Sequence, residues 1–134
     1  MPTPRQTAEA FSSHRFEETY NHLDDDVRWV AVGQTVLKGR DAVIGACTGT
    51  ATELATTTTE FLRFVTVEDL ATPSDQRVAV DAVARYREPD GTASLVSSCD
   101  IYEFAHGRLV GITSYAVELD PDTTDEQWYS RRDA

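Results

Sequence analysis

The spacing of apolar residues changes once along the chain, near Thr57, from helical to alternating. Before that point, Thr3-Pro4-Arg5-Gln6 has the makings of a helix start: a cap, a proline at the first helical position and a returning glutamine. This helix is predicted to run to about Ser12, where Ser12-Ser13 interrupts it. A second short helix follows, with Phe16, Tyr20 and Leu23 on one face. Asp24-Asp25-Asp26 is expected to end it as a solvated turn, because adjacent like charges repel. Val27 to Val32 reads as a strand stopped by Gly33. A third helix is predicted from Gly39-Arg40-Asp41 to about Ala55, placing Val43, Cys47, Thr50 and Leu54 together. Gly45 and Gly49 weaken it by roughly 1 kcal/mol each relative to alanine, a cost consistent with close approach to another element.

After Thr57 the segments are β-branched or aromatic at many positions and alternate in polarity. Strands are predicted over Glu60 to Glu68, Arg77 to Arg87, Thr92 to Phe104 and Arg108 to Glu118. Ala71 to Asp75 reads as a loop, Glu88-Pro89-Asp90-Gly91 as a tight turn, and His106-Gly107 as the last reversal. The order α-α-β-α followed by a four-stranded antiparallel meander predicts an α+β layer with the helices on one sheet face. A single domain is expected over 1–119, followed by an acidic tail over 120–134 that docks through Trp128 and Tyr129.

Alternation assigns the faces. Val78, Val80, Ala82, Ala84 and Tyr86 share one side. Val96, Ser98, Asp100, Tyr102 and Phe104 join them from the next strand, and Val110, Ile112, Ser114 and Ala116 from the last. This helix-covered face is short of bulk, and small residues opposite helices imply close approach or a cavity; the cavity is favoured. The opposite face mixes Val83, Ile101, Tyr115 and Val117 with charges, as a subunit interface or half-wet surface would.

Composition narrows the functional classes. With 134 residues there is room for one core. The formal net charge of -11 disfavours nucleic acid and anionic membrane, both of which need clustered cations. Cys47 and Cys99 have no metal-ligand spacing, so no metal and no cofactor is expected. Reduced thiols are favoured over one disulfide. Without an apolar leader or membrane-length segment, a soluble cytoplasmic protein is expected.

Asp100 carries the strongest chemical signal: a mid-strand carboxylate aimed into an apolar enclosure. Such a group must be paired or protonated, and a protonated one can donate to a substrate oxygen. The competing reading is a brace that hydrogen-bonds a helix residue such as Tyr20. Tyr20, Ser98 and Ser114 are candidates to orient a ligand, and Trp29, Tyr102, Phe104 and Ile112 to wall the pocket. For Tyr20 plain core is the favoured reading, and Trp29 reads as pocket wall or plain core. His14, at the junction of the first two helices, reads as a structural or surface residue; His22 and His106 receive no role. Asp81 falls on the other face.

The stretches FEETYNHLDDDVRW (16–29), GRDAV (39–43) and CDIYEFAHGRLV (99–110) resemble the nuclear transport factor 2-like superfamily, in particular its SnoaL-like branch. The resemblance covers about Pro4 to Leu119. It implies a cone-shaped curved sheet wrapped around helices, and a homodimer through the outer sheet face. Relatives include isomerases, polyketide cyclases, dehydratases, epoxide hydrolases and non-catalytic binding domains. In ketosteroid isomerase an acid at the position of Asp100 is held protonated and donates to an oxyanion. The general base of that enzyme falls here on Val30 or Ala31, and its tyrosine near Thr7, so its mechanism does not carry over. Two readings follow. One is a cofactor-free isomerase, cyclase, dehydratase or hydrolase acting on a hydrophobic oxygenated metabolite, with Asp100 as acid or acid/base. The other is a non-catalytic dimeric ligand-binding domain. A protein-interaction adaptor would need an exposed apolar patch.

Overall fold

A computed structural model describes residues 2–122. The first helix, α1 (Pro4–Ser12), starts as its sequence dictates. The Thr3 side chain accepts from the Gln6 amide at 3.1 Å, and the Gln6 side chain accepts from the Thr3 amide at 2.9 Å. A 3₁₀ helix (Phe16–His22) follows, then β1 (Leu23–Ala31), β2 (Thr35–Lys38), α2 (Arg40–Glu53), β3 (Thr58–Thr72), β4 (Asp75–Arg87), β5 (Ala93–Ala105) and β6 (Arg108–Leu119). The strands form one sheet in the order β2-β1-β6-β5-β4-β3, antiparallel except where β1 runs parallel to β6.

Several sequence expectations need correction. Phe16–His22 is 3₁₀ rather than α, and β1 begins at Leu23, so the three aspartates lie in the strand. Asp25 and Asp26 are exposed, and Arg108 lies 3.6 Å from Asp24 while donating to the Leu23 carbonyl at 2.7 Å. Their mutual repulsion is thus relieved without leaving the strand. β2 was not expected; it pairs with β1 across Gly33, whose φ of 80° suits glycine. β3 and β4 extend almost to Pro73, shortening the expected loop. Gly45 and Gly49 are exposed, with open space where a Cβ would stand, so no close approach requires them. Trp128 and Tyr129 lie outside the described residues.

In β4 and β5 the inner face is as alternation predicts: Val78, Val80, Ala82 and Ala84 are buried in β4, as are Tyr102 and Phe104 in β5. In β6 an irregularity of register opposite Glu103 and Phe104 buries Leu109 where alternation placed Val110. Bulk is unevenly distributed along the strands. At one end Tyr102, Phe104, Leu109 and Ile112 pack with Leu23, Val27, Val43, Cys47 and Phe11. Burial there pushes the Cys47 thiol up to about 12, so it packs as a small apolar group. Towards the other end the same face carries Ser98, Val96, Ser114 and Ala116, which do not fill the space beneath the helices. An irregularity in β3 between Phe61 and Arg63 adds one residue opposite Ala84 and Val83. It leaves Phe61 and Phe64 both facing inward, edge to face at 5.2 Å.

Candidate functional site

The unfilled end of the cone is a cavity of about 260 Å³, somewhat below the usual range for small-molecule sites, roughly 300–1,000 Å³. Asp100 stands in its wall. In register it lies between Val80 on β4 and Ser114 on β6, and Ser114 pairs in turn with Ala31 on β1. Because Asp100 and Tyr102 are two apart on one strand, both reach the last residue of α1. Ser12 Oγ donates to Asp100 Oδ2 at 2.8 Å and lies 2.6 Å from Tyr102 Oη. Tyr102 Oη is 3.5 Å from the same carboxylate oxygen, too long to be more than a weak bond. The proton order is therefore Tyr102 to Ser12 to Asp100.

The Tyr102 phenol is held well above its ordinary value, first by burial and then by the charge of Asp100, so it remains a donor. This chain fixes one carboxylate oxygen. Asp100 Oδ1 has no hydrogen-bond partner among the described residues, and neither has Ser98 Oγ, which lines the same cavity. Ser114 is otherwise engaged: its Oγ accepts from Trp29 Nε1 at 2.9 Å, which fixes the indole as a cavity wall.

The residues singled out from sequence separate into three groups. Asp100, Ser98, Ser114 and Trp29 line the cavity together. Tyr102, Phe104 and Ile112 lie beneath it in the core at 2% exposure or less, and Tyr102 acts on the site through Ser12. Tyr20 faces a separate, open depression between the 3₁₀ helix and α2. Its carbonyl accepts from Arg40 at 3.1 and 3.2 Å. The brace imagined for Asp100 is thus Ser12.

His14, read from sequence as structural or surface, stands in the cavity wall. Its ring packs against Phe16, Tyr86 and Phe61 at centroid distances of 5.6, 5.9 and 6.2 Å. The backbone explains the placement. The Arg15 amide donates to the Ala10 carbonyl and the His14 amide to that of Phe11, the double bond pattern that closes a helix on a left-handed residue. His14 is that residue, with φ of 68°. Glycine normally fills this position, since a Cβ there costs about 1–2 kcal/mol. The ring nitrogens have no hydrogen-bond partner among the described residues.

Burial holds the His14 imidazole below the ordinary histidine value of 6.5, with the Asp100 charge opposing in part. The unfolded chain therefore takes up the proton before the folded one does. This contribution to stability is fully present above the unfolded value and is lost as pH falls through it toward the lower folded value. We expect wild-type urea stability to fall more steeply than that of His14→Asn between about pH 8 and about pH 5. Equal slopes would show that His14 is not held neutral by the fold.

The chain matches the SnoaL-like domain family model over residues 5–112. It belongs to that family. This SnoaL-like domain is also similar to an NTF2-like protein of unknown function from Cytophaga hutchinsonii. That pair shares 27% identity, covers 83% of this chain and 93% of the other, and superposes with a TM-score of 0.67. A candidate polyketide cyclase from Xanthomonas campestris shares the fold at 15% identity, 96% and 98% coverage and a TM-score of 0.61. So does an LEH-like epoxide hydrolase from M. tuberculosis, at 16% identity, 84% and 81% coverage and a TM-score of 0.55. No curated protein matches significantly. Among the described residues there is no group of three or more metal-ligating side chains, and no helix is long and apolar enough to cross a membrane.

Proposed function

We propose that this SnoaL-like domain is a cofactor-free enzyme that moves protons on a small, hydrophobic, oxygenated molecule, with Asp100 as its acid/base. One observation carries the reading: Ser12 fixes one oxygen of Asp100 at 2.8 Å, the other has no partner among the described residues, and the residue lines an aromatic-walled cavity. The second oxygen of this half-buried carboxylate is open to a ligand. Held on a strand by a two-hydroxyl chain, this one is pre-aligned for proton transfer. Isomerisation, cyclisation, dehydration and hydrolysis all use such a group, and the fold is compatible with each. The test uses 5-nitrobenzisoxazole, a flat molecule that opens to a coloured phenolate when a base removes its carbon-bound proton. The protein is expected to accelerate this opening far beyond acetate at the same pH, and Asp100→Asn to lose the acceleration.

We further propose a homodimer through the outer sheet face, where Val67, Tyr115 and Val117 are about half or more exposed (64%, 49% and 61%). Sedimentation velocity on the wild type is expected to show twice the chain mass, and Val117→Asp to halve it. A monomeric wild type would reject this interface.

A further inference from the structure

The outer face of the sheet is unevenly buried. Arg77, Asp81, Val83 and Arg85 share that face of β4, and Leu95 stands beside Arg85 on β5. The helices bury Phe11, Phe16, Val43 and Cys47 with the inner face, in a core to which neither Val83 nor Leu95 belongs. Most of the outer face is open, as an uncovered sheet should be: Val67 and Val117 are exposed, and the Arg77 side chain is 58% exposed. At one corner it is closed. Val83 and Leu95 are 0% exposed, and the Arg63 side chain, which pairs with Asp81 at 3.0 Å, is 8% exposed. That ion pair alone does not shut out water, since Asp81 itself is 32% exposed. Arginine ordinarily keeps its head in water while its stem packs. A sealed arginine beside two sealed aliphatic residues requires a cover.

The path of the chain says what the cover is. Leu119, the last residue of β6, pairs with Leu95 on β5. Two and three residues later, Pro121 and Asp122 share a depression with Arg85 and Arg87 of β4, a strand that β6 does not touch. The chain thus leaves β6 toward the closed corner. Residues 123–134 follow, with the acidic pair Asp125-Glu126 and then the rings of Trp128 and Tyr129. Arg87 is exposed and has no side-chain partner among the described residues, so the acidic pair meets an unmatched cation on its way. Six residues from Asp122 span up to about 20 Å, whereas Val83 lies only about 7 Å along β4 from Arg85.

We propose that residues 123–134 dock on the outer sheet face of their own chain, with Trp128 and Tyr129 against Val83 and Leu95. The segment backs the cavity from behind, because Tyr86 and Val96, which line it, are the sequence neighbours of Arg85 and Leu95 on the opposite face. It leaves Val67, Tyr115 and Val117 clear for a second copy. The test uses the full-length protein with labelled valine and leucine methyl groups. Nuclear Overhauser effects are expected from the Trp128 ring to the methyls of Val83 and Leu95, and Trp128→Ala should abolish them and shift both methyl resonances downfield as the ring current is lost. Mixing labelled with unlabelled chains separates the two possible sources of the segment. Effects found only between chains would make the partner's segment the occupant and overturn the proposal. So would the absence of effects from both rings, with methyl resonances that Trp128→Ala leaves unmoved.

Discussion

Asp100→Asn is expected to reduce 5-nitrobenzisoxazole opening by at least about 100-fold while leaving the fold intact, the usual scale for loss of a positioned base. The substitution is nearly isosteric. The asparagine carbonyl can take the place of Oδ2 and accept from Ser12 Oγ, now at 2.8 Å from the carboxylate, so the chain from Tyr102 survives. The amide nitrogen then faces the cavity, where it can donate but cannot remove a proton. Circular dichroism and thermal melting should differ from wild type by only a few degrees. Retention of more than about half the wild-type rate by the folded variant would sink the proposed chemistry.

The second large effect is on stability. Phe11→Ala is expected to cost about 3–5 kcal/mol, the range for truncating a buried phenylalanine. Phe11 is 3% exposed and meets three aromatic rings edge to face: Phe16 and Trp29 at 5.0 Å and Tyr102 at 5.8 Å. Such pairs add to simple burial. Domains of this kind have only about 5–15 kcal/mol in total, so the variant should unfold at far lower urea concentration. Phe11 also immediately precedes Ser12 and lies three residues before His14, so its loss should loosen the site before the molecule melts. A midpoint shift worth less than about 1 kcal/mol would mean that the aromatic cluster is not the organising contact it looks to be.

Much of this architecture is legible in the chain because strand faces obey a period of two. Val78, Val80, Ala82 and Ala84 announced the inner face, and Thr3, Pro4 and Gln6 marked where α1 begins. The shortage of bulk on that face was legible too, as was the inward aim of Asp100. What was not legible depended on partners distant in sequence. The three aspartates were read as a turn because their relief, Arg108, lies more than eighty residues away. Tyr20 was placed toward Asp100 from helical spacing, but a 3₁₀ segment has three residues per turn and turns that side chain elsewhere. His14 reads as a structural or surface residue because Ser12-Ser13 explains the helix end by itself. The available signal was an absence: no glycine stands where α1 terminates, and a histidine does. Its aromatic clamp also needs the extra residue in β3, which no pattern of polarity foretells.

The parallel pairing of β1 with β6 carries a consequence for biosynthesis. The hairpins from β3 to β6 close between neighbours in sequence and can zip as the chain emerges, whereas Leu23 must wait for Leu109 and Ser12 for Asp100, 88 residues on. The bond between Ser12 and Asp100 is thus absent from every ribosome-bound chain that has not yet exposed residue 100, and until then the serine waits for its carboxylate.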